Sequence, residues 1–174
     1  MVMDNRWTAM TGHQVSPATG LNARGQPTKA ILIEDVARAL GVEAVEVVDP
    51  YNLLETEQAV RTALAFEGPA VVVARRECLL QVLRRNRGLA RPAVVTEDCA
   101  GCGLCVELGC PAILYQGERD EVDSGAAIAA SDRTECSRAS IDPLLCTGCG
   151  ICTQLCPRGA IVLAPDRMRG ARLQ

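Results

Sequence analysis

Two stretches decide how this chain is read: C-A-G-C-G-L-C-V-E-L-G-C-P at residues 99–111 and C-T-G-C-G-I-C-T-Q-L-C-P at residues 146–157. They are internal repeats. Each runs C-x2-C-G-[L/I]-C, then a spacer, then C-P, and each is followed by A-I or R-G-A-I. Together they use eight of the ten cysteines in 174 residues.

The spacing has a chemical reason. An iron–sulfur cubane has four iron corners, each wanting one thiolate. Three cysteines two residues apart wrap three corners on one tight loop. The fourth corner faces away and takes the last cysteine of the other run, the arrangement of two-cluster ferredoxins with C-x2-C-x2-C-x3-C-P spacing. The second run has that spacing, and the first carries one extra residue before its final cysteine. The crossed pattern assigns Cys99, Cys102, Cys105 and Cys156 to one [4Fe–4S] cluster. It assigns Cys146, Cys149, Cys152 and Cys110 to a second. Gly101, Gly103, Gly148 and Gly150 let the backbone pass close to inorganic sulfide. Zinc is the rival metal, but its sites want two separated C-x2-C pairs, without a third cysteine two residues on. Of the remaining thiols, Cys78 is expected to be an ordinary buried one and Cys136 a free loop cysteine.

Working outward, the cysteine module spans 91–174, with a polar, small-residue insertion at about 115–140. It is expected to be an α+β bacterial-type ferredoxin domain whose folding energy comes largely from its clusters. Arg87–Val95 reads as a linker, with the module proper starting at Thr96. Charge shifts across it: residues 1–95 carry 11 Lys/Arg against 10 Asp/Glu, a net of +1, and residues 96–174 carry 7 against 11, a net of −4.

Residues 1–90 read differently. Met1–Met3 look like the end of an apolar strand, and 4–28 form a long loop rich in Gly, Pro, Thr and Asn. A helix is expected over Ala30–Leu40, with Leu32, Ile33, Val36, Ala37 and Leu40 on one face and Gly41 at its C-terminal cap. A strand at Ala44–Val48 stops at Asp49-Pro50. A second helix covers Leu53–Phe66, with Leu54, Val60 and Leu64 as buried candidates. P-A-V-V-V-A at 69–74 suits a fully buried parallel strand. A short helix near Cys78–Arg87 follows. Strand, helix, strand, helix, strand is the order of a parallel α/β sheet. Three strands are few for such a sheet, so this half is expected to be incomplete and to need an upstream segment or a partner chain.

The loop D-N-R-W-T-A-M-T-G-H-Q at 4–14 follows a strand end, where α/β sheets bind ligands. Asn5 offers an oxygen to a hard cation such as Mg²⁺. Thr11 and Gly12 offer a hydroxyl and an unobstructed backbone N–H to phosphate oxygens. An ordinary Asn/Gly/Thr-rich turn fits the same residues. His13, the single histidine, is the candidate catalytic group.

Some classes fall away. The net charge of −3 and four aromatics argue against nucleic acid. No run approaches the roughly 18 apolar residues of a membrane span, and no leader pattern opens the chain. A reduced, cytoplasmic setting is expected, where clustered Cys means metal rather than disulfides.

D-N-R-W-T-A-M-T-G-H-Q-x-x-P-x-T-G, then I-E-D-V-A-R-A-L-G-V, then A-R-R-x-C, then the two cysteine runs, resembles the C-terminal part of the large (alpha) subunit of indolepyruvate:ferredoxin oxidoreductases. These are thiamine diphosphate-dependent 2-oxoacid oxidoreductases. The x4 spacing of the first run is typical of that family. The resemblance implies a partial thiamine-diphosphate-binding α/β domain ahead of the ferredoxin domain. It also implies oxidative decarboxylation of arylpyruvates to aryl-acetyl-CoA, with electrons leaving through two [4Fe–4S] clusters to an external ferredoxin. Asn5 is then a Mg²⁺ ligand through its side chain, and Trp7 one through its carbonyl. Thr11, Gly12 and His13 line the diphosphate and thiazolium pocket. Arg75, Arg76 and Cys78 match A-R-R-x-C without an assigned role. The G-D-G or G-D-S motif that completes the Mg²⁺ site in thiamine enzymes does not occur ahead of Asn5. Thiamine diphosphate and Mg²⁺ are therefore expected only when another chain or segment completes the site. The expected partners are that chain, a smaller beta subunit and ferredoxin. A stand-alone two-cluster carrier and a truncated gene remnant are the alternatives.

Overall fold

The computed structural model describes residues 1–85, 91–115 and 138–165, and the chain divides into two compact units, Met1–Leu89 and Ala90–Gln174.

The first unit is a three-stranded parallel sheet. β1 (Val2–Asp4), β2 (Ala44–Val48) and β3 (Ala70–Arg75) lie in the order β1-β3-β2. The β-branched run of β3 takes the centre, where Val72, Val73 and Ala74 are buried. Val48 pairs with Ala74 and Asp4 with Arg75, so these pairs fall on opposite faces of the sheet.

Helix α2 (Leu53–Ala65) covers the Val48/Val72 face. Asn52 caps it, its side chain accepting from the Glu55 amide at 3.3 Å. Its contact is made by small residues: Ala59 is buried with Val48 and Val72, and Ala63 packs against them. The expected burial of Leu54 and Leu64 is not found; they are 66% and 81% exposed. Alanines let the helix lie close to the sheet, which turns these two leucines to the opposite side. Val60 is half-buried.

Helix α1 (Ile33–Ala39) is shorter than the expected Ala30–Leu40 and is turned differently. Ala37 is buried, but Val36 and Leu40 are exposed, and the other buried residue is Glu34. The reason is electrostatic. Arg75 stands on the sheet face that α1 covers and needs carboxylates, so α1 presents Glu34 rather than an apolar seam. Gly41 takes its expected place past the helix end. At φ 89° its N–H donates to the Arg38 carbonyl, and Val42 donates to Ala37, closing a Schellman motif.

Loop 4–28 has its own order. Thr8 pairs with Gln14 and Leu21 with Pro27 in isolated antiparallel bridges, and Pro17–Thr19 form a 3-10 turn. The last element of this unit is α3 (Leu79–Arg85). Cys78 lies just before it and is half-buried.

The second unit holds two short antiparallel pairs. β4 (Ala93–Val95) pairs with β7 (Ile161–Leu163), and β5 (Ile113–Tyr115) with β6 (Ala139–Ile141). The stretch expected to be a linker to residue 95 therefore ends in a strand, and this unit's structure begins before Thr96. A 3-10 helix at Leu104–Leu108 and helix α4 (Ile151–Leu155) occupy equivalent places within the two repeats. The core is small: Ala93, Ile113, Ala139 and Ile161 close around Cys105 and Cys152. Most of the 115–140 insertion, with Cys136, lies outside the described residues.

Arg75 holds the Glu34 carboxyl at about 2, below its ordinary 4.5, mainly through their hydrogen bonds. A depressed carboxyl stabilises the fold above its unfolded value. That contribution is expected to fade as pH falls from about 4.5 towards about 2. Glu34→Gln should cost on the order of 3 kcal/mol at neutral pH and flatten this acid dependence, as read by urea unfolding across pH.

Candidate functional site

The cysteine repeats fold into two loops with matching geometry. Gly103 and Gly150 each stand in left-handed backbone before the short helix that carries Cys105 or Cys152. These two thiols are buried, Cys102 is exposed, and Cys99, Cys110, Cys146, Cys149 and Cys156 are half-buried. The extra residue of the first run is Gly109. It caps the 3-10 helix at φ 66°, its N–H donating to the Val106 carbonyl at 2.9 Å, and so absorbs the added length before Cys110. The second run needs no such turn, since α4 ends directly on Cys156.

The thiols fall into two crossed groups. Cys105 lies within electrostatic reach of Cys99, Cys102 and Cys156. Cys152 lies within reach of Cys149, Cys146 and Cys110. Burial first, then these neighbours, pushes the Cys152 thiol up to about 11, and Cys105 also moves up. Without metal, such thiols stay protonated; a cluster must displace the protons and neutralise the thiolates. Among the described residues no three or more His, Cys, Asp or Glu side chains close to the spacing of a single ion. The donor set, four thiols in each of two groups, matches in number the four corners of a cubane.

Backbone donors face the sulfurs. The Ala93 N–H donates to Cys146 Sγ at 3.2 Å and the Ala160 N–H to Cys156 Sγ at 3.3 Å. Such bonds raise the potential of a cluster by stabilising added negative charge. Tyr115 donates from its hydroxyl to the Gly101 carbonyl at 3.0 Å and steadies the first loop. Gly148 admits no side chain: at φ 70°, a Cβ there would stand 2.4 Å from the Arg91 carbonyl oxygen.

The loop after β1 is the second candidate site. Asn5 is exposed, and its Oδ1 accepts the Trp7 N–H at 2.9 Å, closing an Asx turn through Arg6 at φ 65°. A carbonyl oxygen has a second lone pair, so Asn5 can still serve a cation. Thr11 and Gly12 are exposed, but their donors are engaged. The Thr11 hydroxyl donates to Gln14 Oε1 at 2.6 Å and the Gly12 N–H to the Ala9 carbonyl at 3.2 Å. The unobstructed Gly12 amide expected from the sequence is therefore tied into a turn of the 8–14 hairpin, and must change partners to meet a phosphate. His13, at φ 62°, has its Nε2 shielded from solvent without a hydrogen-bond partner. The sequence reading missed what stands beneath this loop. Asp4 is buried between Arg6 and Arg75, and Glu77 accepts from the Trp7 indole. The signal was present in the unassigned A-R-R-x-C.

Residues 1–74 match the thiamine pyrophosphate enzyme C-terminal TPP-binding domain, and residues 139–162 the 4Fe-4S binding domain. The indolepyruvate oxidoreductase subunit IorA of Pyrococcus horikoshii is 44% identical over 165 residues. That of Archaeoglobus fulgidus is 41% identical over 164, and that of Methanothermobacter thermautotrophicus 37% over 165. This chain is related to the C-terminal part of the IorA subunits. In each of the three comparisons the match covers 92% of this chain but 23% of the IorA subunit, so the chain spans about a quarter of its relatives' length. The two domain families take thiamine diphosphate and [4Fe–4S] clusters respectively. No helix among the described residues is long and apolar enough to cross a membrane.

The crossed groups lead to a direct expectation. Cys156→Ala should damage the cluster on the Cys99–Cys105 loop, and Cys110→Ala the one on the Cys146–Cys152 loop. Electron paramagnetic resonance of the reduced variants distinguishes the two, and loss of the same-run cluster would overturn the crossing.

Proposed function

We propose that these residues are the electron-delivering part of an oxidoreductase subunit that oxidatively decarboxylates arylpyruvates, indolepyruvate among them, to aryl-acetyl-CoA. Two [4Fe–4S] clusters carry the electrons to an external ferredoxin. The observation behind this reading is the union, in one IorA-like chain, of a TPP-binding domain sequence with two crossed groups of four thiols.

Bound thiamine diphosphate supplies a nucleophilic carbanion for 2-oxoacids, and cubanes supply one-electron acceptors. The chain's residues do the holding. Asn5 Oδ1 and the Trp7 carbonyl offer oxygens to Mg²⁺. Thr11 and Gly12 face the diphosphate once their turn bonds are exchanged. His13 Nε2, shielded and unpartnered, would hold or move a proton in this reading. Cys99, Cys102, Cys105 and Cys156 hold one cluster, and Cys146, Cys149, Cys152 and Cys110 the other. Burial of Cys105 and Cys152 keeps water from those two sulfurs. Partners are a chain or segment supplying the rest of the thiamine site, a smaller beta subunit and ferredoxin, in a reducing compartment.

The test uses the anaerobic assembly containing these residues. Indolepyruvate with CoA should bleach the cluster absorption. Asn5→Ala should weaken Mg²⁺-dependent thiamine diphosphate binding at least about tenfold. Clusters that respond to dithionite but to no 2-oxoacid would contradict the proposal.

A further inference from the structure

The A-R-R-x-C stretch has a place in the fold that the proposed chemistry does not use. It begins in the last two residues of β3 and runs on past its end, alongside the loop that follows β1. The two segments stay joined beyond the last paired residues: the Arg76 N–H donates to the Asp4 carbonyl and the Cys78 N–H to the Asn5 carbonyl, both at 3.0 Å. The side chains continue the connection. Trp7 donates its indole N–H to Glu77 Oε1 at 3.0 Å. Arg75 Nε donates to Asp4 Oδ2 at 2.8 Å, while Asp4 Oδ1 accepts the Arg6 N–H at 2.9 Å. The remaining Arg75 nitrogens pair with Glu34.

We propose that Arg75, Glu77 and the Cys78 amide form a clamp that fixes the Asn5–Trp7 turn, with Glu34 and Asp4 orienting the clamp's guanidinium. They are positioning residues. Arg6 sits in left-handed backbone, which a residue with a Cβ adopts only when its surroundings impose it. Asp4 imposes it from below by taking the Arg6 amide. Arg75 locks that carboxylate, whose side chain is only 3% exposed. The Cys78 amide and Glu77 hold the turn at Asn5 and Trp7. The turn so fixed leaves the Asn5 carboxamide oxygen bonded to the Trp7 amide and exposed at the end of β1. A fork of five fixed donors serves two carboxylates at once; an ammonium does not.

The purpose of the clamp rests on the proposed Mg²⁺ role of Asn5, but its test does not. Amide hydrogen exchange is measured on the whole chain without thiamine diphosphate. The Trp7 amide reports the Asn5 side chain directly, the Arg6 amide reports Asp4, and Val72 and Val73 report the sheet. Arg75→Lys is expected to speed exchange at Arg6 and Trp7 by about tenfold or more, with Val72 and Val73 unchanged. Unchanged exchange at Arg6 and Trp7 would overturn the clamp, as would equal loosening of the sheet in a folded variant. If Arg75→Lys does not fold, Glu77→Ala decides. It should red-shift the emission of Trp7, the only tryptophan, and speed its amide exchange with Val73 still protected. No change in either would equally refute the proposal. Weak cofactor binding in the intact assembly, with these exchange results intact, would count against the Mg²⁺ reading alone.

Discussion

The cysteine module depends on one exchange: the last sulfur of each run belongs to the group formed by the other. Little else could hold it. Its strands are three residues long, and its core is mostly alanine and isoleucine packed against thiols. Burial of that size offers little surplus over chain entropy. Cys105 and Cys152 are themselves buried members of that core. Burial pushes both of these thiols up, so their ionisation is tied to metal binding. Cluster binding and folding are then one process.

The first unit is organised around charge. Its central strand is apolar through Ala74, and the next residue is Arg75, between two carboxylates near the ends of β1 and β3. The cost of burying these ions is offset only by complete pairing, which fixes geometry more than it adds stability. That geometry reaches the loop after β1 directly, because Asp4 is both Arg75's partner and the neighbour of Asn5.

These two kinds of order differ in how far the sequence reveals them. The cysteine loops are local: spacing, glycines and the terminal C-P can be read along the chain, and the crossing follows from the shape of a cubane. Strand and helix order in the first half was equally legible from the β-branched run of β3 and from Gly41. What failed was non-local. The face of α1 could not be read from periodicity, since Glu34 turns inward to meet an arginine 41 residues away. Leu54 and Leu64 look like core residues until Ala59 and Ala63 set the helix against the sheet. Ala93–Val95 passed for a linker because its partner strand begins at Ile161. The Gly12 amide is sterically open, as its lack of a side chain implies, but its turn bond to the Ala9 carbonyl is not written in the residue types.

The central claim is that eight cysteines enclose two iron cubanes, and metal and sulfide analysis of anaerobically prepared chain tests it most directly. About eight irons and a matching amount of inorganic sulfide per chain are predicted. Fewer than about four irons, or zinc in the sulfur sites, would contradict the account.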